Sequence, residues 1–322
     1  MRQFAKPTIV VSKCLEFDAC RYNGEMIPDV TIRNLQPFVT FIPVCPEVEI
    51  GLGTPRETIR IVEENGENRL VQPSTREDVT EKMEQFSNDF LQTIPDVDGF
   101  ILKNRSPSCG TRDVKIYSGF EKAPAKGKGA GLFGGAVVKK FSHLPIEEEG
   151  RLSNFIIREH FFTRLFTIAY YKMIKHNKNM KELVSFQSDN KYLFMAYNQV
   201  KQKELGRIIA NQKNEKIEVV FENYEKTLYE LFMRAPRYTS NVNVCEHIFG
   251  YFKTKLKKQE KDHFIELLQK YAEKKIPLSS LLTILKSWAI RFDEKYLLRQ
   301  TYFEPYPEAL VEISDSGKGR DY

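Results

Sequence analysis

Three short apolar runs constrain the fold of the first half of this chain. PTIVVS (7–12), PFVTFIPV (37–44) and GFILK (99–103) are rich in β-branched and aromatic residues, as buried strands are. Between the last two, STREDVTEKMEQFSNDFLQTIP has helical spacing, with Ser74 or Thr75 as the expected N-cap. Strands that alternate with helices pair in parallel. We therefore expect a Rossmann-like α/β domain with a mostly parallel sheet, and a further helix in the glycine-rich GAGLFGGAVVKKF.

The second half has a different pattern. HLPIEEEGRLSN, residues 143–154, contains a proline, an acidic run and a glycine, and is interpreted as a linker. Beyond it, strand signals give way to apolar residues at helical spacing. The helical patterns are NFIIREHFFTRLFTIAYYKMIKH and residues 215–233, 242–258, 261–273 and 278–297. The sequence therefore predicts an α/β domain at 1–147 and an all-α domain at 151–322.

Charge differs between the halves. Residues 1–150 carry 19 Lys and Arg against 22 Asp and Glu, whereas residues 151–322 carry 30 against 21. Such asymmetry indicates a polyanionic partner for the basic half, although a solvated lysine-rich helical surface has the same composition. No apolar run reaches the length of a membrane span. MRQFAKPTIVV lacks a signal-peptide core, so we expect a cytoplasmic protein with no membrane partner.

Three of the five cysteines follow predicted strands. Cys14, Cys45 and Cys109 come just after the three apolar runs, beside polar residues, Pro or Gly. Since the carboxyl ends of parallel strands meet at one edge of a sheet, the three thiols are expected to converge there. An odd number of widely spaced cysteines does not favour a disulfide framework.

Several uses of these thiols remain open at this point. A structural zinc site normally has a fourth protein ligand, and no histidine lies near the three loops. An iron–sulfur cluster held by three cysteines would keep one iron open to a substrate. Three unrelated buried thiols are the alternative, since free cysteine is common in protein cores.

The motifs of both halves resemble known families. SKCL (12–15), CRYNGE (20–25), PVCPEVEIGLGTPRE (43–57), DVT (78–80) and LKNRSPSCG (102–110) resemble the DUF523 family of thiouracil desulfidases. The second half resembles DUF1722 through NVNVCEHIFGYFKTKLKK, PLSSLLTILKSW and QTYFEPYPEAL. The fused arrangement is similar to a group of RNA desulfidases that act on thiolated uridines in tRNA.

The resemblance implies a cofactor and a reaction. In the family, three cysteines hold a [4Fe-4S] cluster whose fourth iron has no protein ligand, and these fall on Cys14, Cys45 and Cys109. The open iron binds the sulfur of a thiocarbonyl and water replaces that sulfur on the ring, without net redox change. The implied substrate is 2-thio- or 4-thiouridine in tRNA, or free thiouracil. Cys20, six residues after Cys14, is a rival fourth thiolate, interpreted here as a structural thiol.

Candidate catalytic residues lie beside the cysteines. Hydrolysis of a C=S bond needs a general acid or base, and Glu47 lies two residues after Cys45. Ser106 or Ser108 supplies a hydroxyl that bonds the pyrimidine or relays a proton, although serines before a turn often only cap it. Arg21 and Tyr22 are expected to shape the substrate site.

Basic residues of the second half are candidates for RNA contact, by phosphate neutralisation and stacking. They are Arg234, Arg237, Lys253, Lys255, Lys257 and Lys258. The lysine-rich outer face of an amphipathic helix is the alternative interpretation. Two other functions stay open: a free-base desulfidase whose helical half stabilises or dimerises the protein, and a non-catalytic cluster-binding regulator that binds nucleic acid. A homodimer is compatible with the sequence.

Overall fold

The computed structural model describes residues 2–120, 124–211 and 214–312. The chain divides into two compact units: residues up to Ala169 together with a segment from Ala309, and Tyr170–Glu308. The division falls within a long helix, beyond the segment interpreted as a linker. The functional domains expected at 1–147 and 151–322 stay a prediction, since compact units do not test where a functional domain ends.

A four-stranded sheet carries the three predicted strands. β1 (Thr8–Ser12), β2 (Thr40–Val44), β6 (Gly99–Leu102) and β9 (Ile146–Glu148) pair in the order β2-β1-β6-β9. All three pairings are parallel. The β1 and β6 residues are buried almost throughout, as near-continuous apolar runs require in a parallel sheet covered on both faces. The predicted α/β fold with a parallel sheet is confirmed.

The linker interpretation of residues 143–154 is wrong. This segment contains β9, the outer strand of the parallel sheet, and the short helix α5 (Glu149–Leu152). The Glu148 side chain is buried, where its carboxylate accepts hydrogen bonds from the backbone N–H and the hydroxyl of Thr111. An acidic run suggests a solvated linker, but here the carboxylates of Glu148 and Glu149 are buried and accept hydrogen bonds.

A second sheet was not foreseen from the sequence. It is mixed, in the order β5-β4-β3-β7-β8, with only β3 and β7 parallel. Its strands are β3 (Arg60–Glu64), β4 (Glu67–Gln72), β5 (Glu77–Asp78), β7 (Val114–Tyr117) and β8 (Ala125–Gly129). Charged and polar residues dominate these strands, so they lack the apolar pattern on which the prediction relied.

The first unit also contains helices. They are α1 (Val30–Leu35), α2 (Pro46–Glu49), α3 (Thr80–Thr93), α4 (Leu132–Phe141), α5 and the first part of α6 (Phe155–Asn177). The expected N-cap at Ser74 or Thr75 is wrong, because α3 begins at Thr80. The Asp78 carboxylate instead accepts the Thr80 backbone N–H at 2.9 Å. The helix expected in the glycine-rich segment is confirmed as α4.

The second unit is helical, as predicted. It contains the rest of α6 and α7 (Met180–Asp189), α8 (Lys191–Tyr197), α9 (Gln199–Ala210), α10 (Ile217–Leu231), α11 (Tyr238–Gly250), α12 (Lys258–Ala272), α13 (Leu278–Arg291) and α14 (Lys295–Leu298). Its core is rich in aromatic residues, among them Tyr171, Phe186, Tyr224 and Trp288. Within the part of the chain that the structure describes, no helix is both long and apolar enough to cross a membrane.

Candidate functional site

The carboxyl edge of the parallel sheet brings the predicted cysteines together. Cys14 lies two residues after β1, Cys45 directly follows β2, and Cys109 lies in the loop after β6. Because β2, β1 and β6 are parallel neighbours, their loops emerge side by side. All three thiols line one cavity of about 330 Å³, and so does Cys20.

Backbone hydrogen bonds fix the loops that carry Cys14, Cys20 and Cys45. The Cys14 carbonyl accepts the Ile27 N–H at 2.8 Å. Cys45 is the N-cap of α2, and its carbonyl accepts the N–H groups of Val48 and Glu49 at 3.1 and 3.0 Å. The Cys45 thiol lies 3.8 Å from the Cys20 carbonyl oxygen and donates to it. The positions of these thiols are therefore set by main-chain contacts of the loops.

The loop that carries Cys109 is held against the first turn of α4. Backbone N–H groups of Gly131 and Gly134 donate to the carbonyls of Gly110 at 2.7 Å and Ser108 at 2.9 Å. A Cβ atom on Gly134 would lie 2.4 Å from the carbonyl oxygen of Cys109. The glycine-rich start of α4 thus allows a close approach of two backbones, which positions Cys109 over the sheet edge.

Three thiols that line one cavity are a donor set that an iron–sulfur cluster could use. In residues 2–120, 124–211 and 214–312, no three His, Cys, Asp or Glu side chains are arranged to hold one metal ion. In a [4Fe-4S] cluster each thiolate binds a different iron, so the sulfur atoms need not converge on one point. Three thiols around a shared cavity, with carboxylate and hydroxyl groups beside them, match that requirement.

Burial raises the pKa of three thiols at this cavity, those of Cys14, Cys20 and Cys109. It raises the pKa of Cys14 to about 12, and the nearby Cys45 adds to the effect, whereas the cation of Lys103 opposes it. Burial likewise raises the pKa of Cys20 to about 12, again with a contribution from Cys45. Burial raises the pKa of Cys109 as well. Metal binding would displace these protons, as it does at thiolate sites generally.

Glu47 lies in the same cavity and is paired with Arg56. The Arg56 Nε and one terminal nitrogen lie 2.8 and 2.7 Å from Oε2 of Glu47. The other terminal nitrogen donates to the carbonyls of Cys20 and Gly53, both at 2.9 Å. The side chain of Arg56 is 4% exposed and that of Glu47 is 12% exposed. Arg56 therefore holds Glu47 while it ties the loop after β1 to the loop after α2.

Two serines connect Glu47 to the Cys109 loop. The Ser108 hydroxyl donates to Oε1 of Glu47 at 2.6 Å and lies 3.7 Å from the Cys109 sulfur. The hydroxyl oxygens of Ser106 and Ser108 are 2.9 Å apart. Ser106 Oγ also accepts the Cys109 backbone N–H at 3.1 Å. Since Ser108 donates its proton to Glu47, Ser106 donates to Ser108. The result is a continuous chain of hydroxyl groups that ends at the carboxylate.

Lys103 was missed by the sequence reasoning. Its Nζ forms an ion pair with the buried Glu149 and also contacts the Asn104 side chain. Its backbone N–H donates to the Ser12 hydroxyl at 2.8 Å. The Asn104 N–H donates to Glu149 at 2.7 Å. Lys103 lies in the motif LKNRSPSCG and Arg56 ends the segment GLGTPR. For Arg56 and for Lys103, the sequence indication of a site was a basic residue near a loop that contains glycine or proline.

Arg21, Tyr22 and Arg105 also line the cavity. The guanidinium carbon of Arg21 lies 5.4 Å from the centre of the Tyr22 ring. This turn is fixed by the Gly24 N–H, which donates to the Arg21 carbonyl at 2.9 Å, and by the Arg56 N–H, which donates to the Tyr22 carbonyl at 2.8 Å. The predicted substrate-shaping residues are thus part of the cavity wall, on a turn with defined geometry.

The predicted RNA-contacting residues fall in two connections of the second unit. Arg234 and Arg237 lie between α10 and α11, and Lys253, Lys255 and Lys257 lie between α11 and α12, with Lys258 at the start of α12. The two groups are at opposite ends of α11, about 20 Å apart for its 13 residues. They do not form the outer face of one helix. Lys255 forms an ion pair with Glu294.

Two family models match the chain. The model described as 2-thiouracil desulfurase matches residues 9–149, which include all the cavity residues named above. A model described as a protein of unknown function, DUF1722, matches residues 191–307. The two matches fall on the α/β part and the helical part of the chain respectively.

Individual relatives are similar to each part. The uncharacterized protein YbbK of Bacillus subtilis (strain 168) is 36% identical over 118 residues, covering 34% of this chain and 77% of YbbK. The uncharacterized protein YbgA of Escherichia coli (strain K12) is 22% identical over 156 residues, covering 48% of this chain and 92% of YbgA. The solved structure of a [4Fe-4S]-dependent thiouracil desulfidase, TudS, is 26% identical with a TM-score of 0.36. That match covers 46% of this chain and 93% of TudS.

Proposed function

This chain belongs to the 2-thiouracil desulfurase family, and we propose that it is an iron–sulfur desulfidase that replaces the sulfur of a thiolated uracil ring with oxygen. The observation that carries the proposal is the position of Ser108. Its hydroxyl is 2.6 Å from Glu47 and 3.7 Å from the Cys109 sulfur, so a proton-transfer group and a thiol of the proposed cluster site share one hydrogen-bond network.

Cys14, Cys45 and Cys109 would hold a [4Fe-4S] cluster. When bound by three thiolates, such a cluster supplies an iron with no protein ligand, a Lewis acid that attracts the sulfur of a thiocarbonyl. Cys20 lines the same cavity and remains a structural thiol in this proposal. The cation of Lys103 favours the thiolate form of Cys14, an effect that the carboxylate of its ion-pair partner Glu149 offsets in part.

The chain's own residues would carry the hydrolysis. Glu47 accepts a proton from a water molecule as the water oxygen bonds to the ring carbon. The C–S bond then breaks, and the sulfur leaves with two protons as hydrogen sulfide, so no electron donor or acceptor is required. Ser106 and Ser108 relay protons between the cavity and Glu47. Arg56 keeps the carboxylate oriented toward the relay.

The helical part would recruit a thiolated tRNA. The two groups of basic residues at the ends of α11 support this, because a folded RNA presents phosphates over tens of ångströms. A free thiouracil base is the competing substrate, favoured by the family description of the α/β part. The two substrates predict different results: phosphate contacts of the helical part would contribute to turnover of a thiolated tRNA and not to turnover of free thiouracil.

Anaerobic reconstitution followed by an assay of sulfide release tests the proposal. We expect absorption of an iron–sulfur cluster, and sulfide released from thiolated tRNA or thiouracil.

Glu47→Gln should keep the cluster and lose about 100-fold or more in turnover. Glu49→Gln, an exposed carboxylate two residues further along α2, is the matched control and should behave as the unaltered protein. Unchanged sulfide release by Glu47→Gln would remove Glu47 from the mechanism. A stable cluster without sulfide release from any thiolated substrate would favour a non-catalytic regulator.

A further inference from the structure

Cys20 is a thiol that the proposed desulfidase does not use. It lines the same cavity as the three proposed cluster ligands. Its residue is buried, at 4% exposed, and so is that of Cys45, at 8%. Both are free thiols in this structure. An unused thiol therefore lies at the same cavity as a thiol that the proposed function requires.

The side chains of Cys20 and Cys45 are in contact. The Cys45 sulfur lies 3.8 Å from the Cys20 carbonyl oxygen, and the two thiols are hydrogen-bonded to each other. A disulfide requires sulfur atoms about 2.05 Å apart and Cβ atoms about 3.5–4.5 Å apart. Because the two thiols are already within hydrogen-bond reach, a small movement of each side chain brings the sulfur atoms to bonding distance.

Arg56 holds the two loops that carry this pair. One terminal nitrogen of Arg56 donates to the Cys20 carbonyl at 2.9 Å, and its backbone N–H donates to the Tyr22 carbonyl at 2.8 Å. The rest of its guanidinium contacts Glu47, which lies in the helix α2 that Cys45 precedes as N-cap. None of these contacts uses a sulfur atom. They therefore keep the two cysteines together without help from a metal.

We propose that Cys20 and Cys45 form a redox-modification site, in which hydrogen peroxide joins them in a reversible disulfide when no cluster is bound. One thiol reduces the peroxide and becomes a sulfenic acid, with release of one water molecule. The sulfur of the other thiol attacks the sulfenic sulfur, the S–S bond forms, the S–O bond breaks, and a second water molecule leaves. Two thiols thus supply the two electrons that reduce one peroxide to two water molecules.

The disulfide has two consequences for the proposed cluster site. It withdraws Cys45 from the three proposed ligands, so the protein cannot take up a cluster until a dithiol reduces the bond. It also stops oxidation at a reversible stage, because a sulfenic acid that no thiol captures can proceed to the sulfinic acid, which dithiols do not reduce. Cys20 therefore protects Cys45. This inference rests on the proposed role of Cys45 as a cluster ligand and adds redox control to that site.

Disulfide mapping on the full chain tests the pairing. The cluster-free protein would be treated anaerobically with one equivalent of hydrogen peroxide, and the remaining thiols alkylated before digestion and mass spectrometry. Trypsin leaves Cys14 and Cys20 on one peptide, so a second protease that cleaves after the acidic residues between them is also used. We expect a crosslink between Cys20 and Cys45 that dithiothreitol removes. A crosslink between another pair of cysteines instead, or no crosslink at all, would overturn the proposal.

Iron uptake distinguishes this role of Cys20 from that of a fourth cluster ligand. Without any oxidant, anaerobically reconstituted Cys20→Ala should take up as much iron as the unaltered protein. A lower iron content would make Cys20 a ligand and would overturn the proposal. After one equivalent of peroxide, the unaltered protein should lose its iron uptake and regain it with dithiothreitol. Uptake that is unaffected by peroxide would also contradict the disulfide.

An excess of peroxide tests the protection of Cys45. In Cys20→Ala, we expect the Cys45 peptide to gain the two oxygen atoms of a sulfinic acid, whereas in the unaltered protein it stays reducible by dithiothreitol. Cys245→Ala removes a buried thiol of the helical unit and is the matched control, which should behave as the unaltered protein. Equal amounts of Cys45 sulfinic acid in Cys20→Ala and in the unaltered protein would overturn the protective role.

The redox site and the desulfidase activity fail in different experiments. Mapping of the unaltered protein decides the disulfide by mass alone, without a variant, a cluster or a substrate. Absence of sulfide release from every thiolated compound would overturn the desulfidase proposal and leave a mapped disulfide in place. Sulfide release by a protein that forms no crosslink would keep the desulfidase and remove the redox site.

Discussion

Arg56 contacts one carboxylate oxygen of Glu47 twice: its Nε donates a hydrogen bond at 2.8 Å, and a terminal nitrogen lies 2.7 Å from the same oxygen in an ion pair. The second oxygen of Glu47 is left for the Ser108 hydroxyl. Each oxygen of this carboxylate therefore has a separate partner: a cation that fixes its direction and a hydroxyl chain that can move a proton. This division makes the roles of the neighbouring residues separable by substitution.

Removal of Arg56 should leave the Glu47 carboxylate largely buried without its cationic partner. Because both side chains are largely buried, Arg56→Gln is expected to lower the free energy of unfolding of the metal-free protein by about 3 kcal/mol. The double variant Arg56→Gln, Glu47→Gln should recover part of that loss, since neither charge then remains alone. Urea denaturation of the two single variants and the double variant measures this coupling. Equal losses in Arg56→Gln and in the double variant would contradict a coupled pair.

The two serines should act as one unit. We expect Ser108→Ala to reduce sulfide release by about 100-fold, a typical contribution of proton transfer, and Ser106→Ala to act in the same direction. The variant lacking both hydroxyls should be no slower than Ser108→Ala, because members of one relay are not additive. Ser142→Ala, an exposed serine at the end of α4, is the control.

Ser106 has a second contact that needs its own measurement. Its oxygen accepts the Cys109 N–H, so Ser106→Ala also loosens the loop that carries a proposed cluster ligand. Iron content and cluster absorption of each serine variant, measured before the assay, separate loss of cofactor from loss of proton transfer. If Ser106→Ala holds full iron and full activity, the relay begins at Ser108.

Two adjacent glycines of α4 should respond differently to the same substitution. A Cβ on Gly134 would lie 2.3 Å from the Gly110 carbonyl oxygen, and both atoms belong to the backbone. Gly134→Ala should therefore cost about 1–3 kcal/mol, as overpacking does, and should reduce iron retention because the Cys109 loop must shift. At Gly135 the closest atom is the Ala130 Cβ at 3.4 Å, so Gly135→Ala is the matched control. Thermal unfolding and iron content measure both effects, and similar results for the two variants would exclude the close approach as the cause.

Phosphate contacts at the ends of α11 should be visible in the salt dependence of RNA binding. Neutralisation of Arg234, Arg237, Lys253, Lys257 and Lys258 by Gln in the full chain should weaken tRNA binding. It should also flatten the slope of log K against log salt by about 0.7–0.9 per lost contact. Lys203, Arg207 and Lys286 are exposed cations elsewhere in the helical unit that serve as a charge-changing control. An unchanged salt slope in the variant that carries the five Gln substitutions would contradict the proposed RNA contact.

The sequence predicted the parts of the site that depend on strand order. Short apolar runs indicate buried parallel strands, and a cysteine after each run must then emerge at the same edge. Glu47 follows from its spacing to Cys45. Arg56 and Lys103 could not be found in this way, because their partners are nine and 46 residues away. Pairings across that separation depend on how the loops fold over one another.

The amino-acid sequence by itself determined the parallel sheet, the helical second half, and the convergence of Cys14, Cys45 and Cys109, since local apolar patterns and chain order suffice for these. Only the tertiary structure decided that residues 143–154 form a strand and a helix with buried carboxylates, and that a second, mixed sheet exists. It also decided that Arg56 fixes Glu47. The physical reason is the same for all three. Polar and charged segments lack the apolar periodicity from which strands and helices are predicted. Their side chains are stabilised by hydrogen-bond donors and acceptors that come close only when the chain is folded.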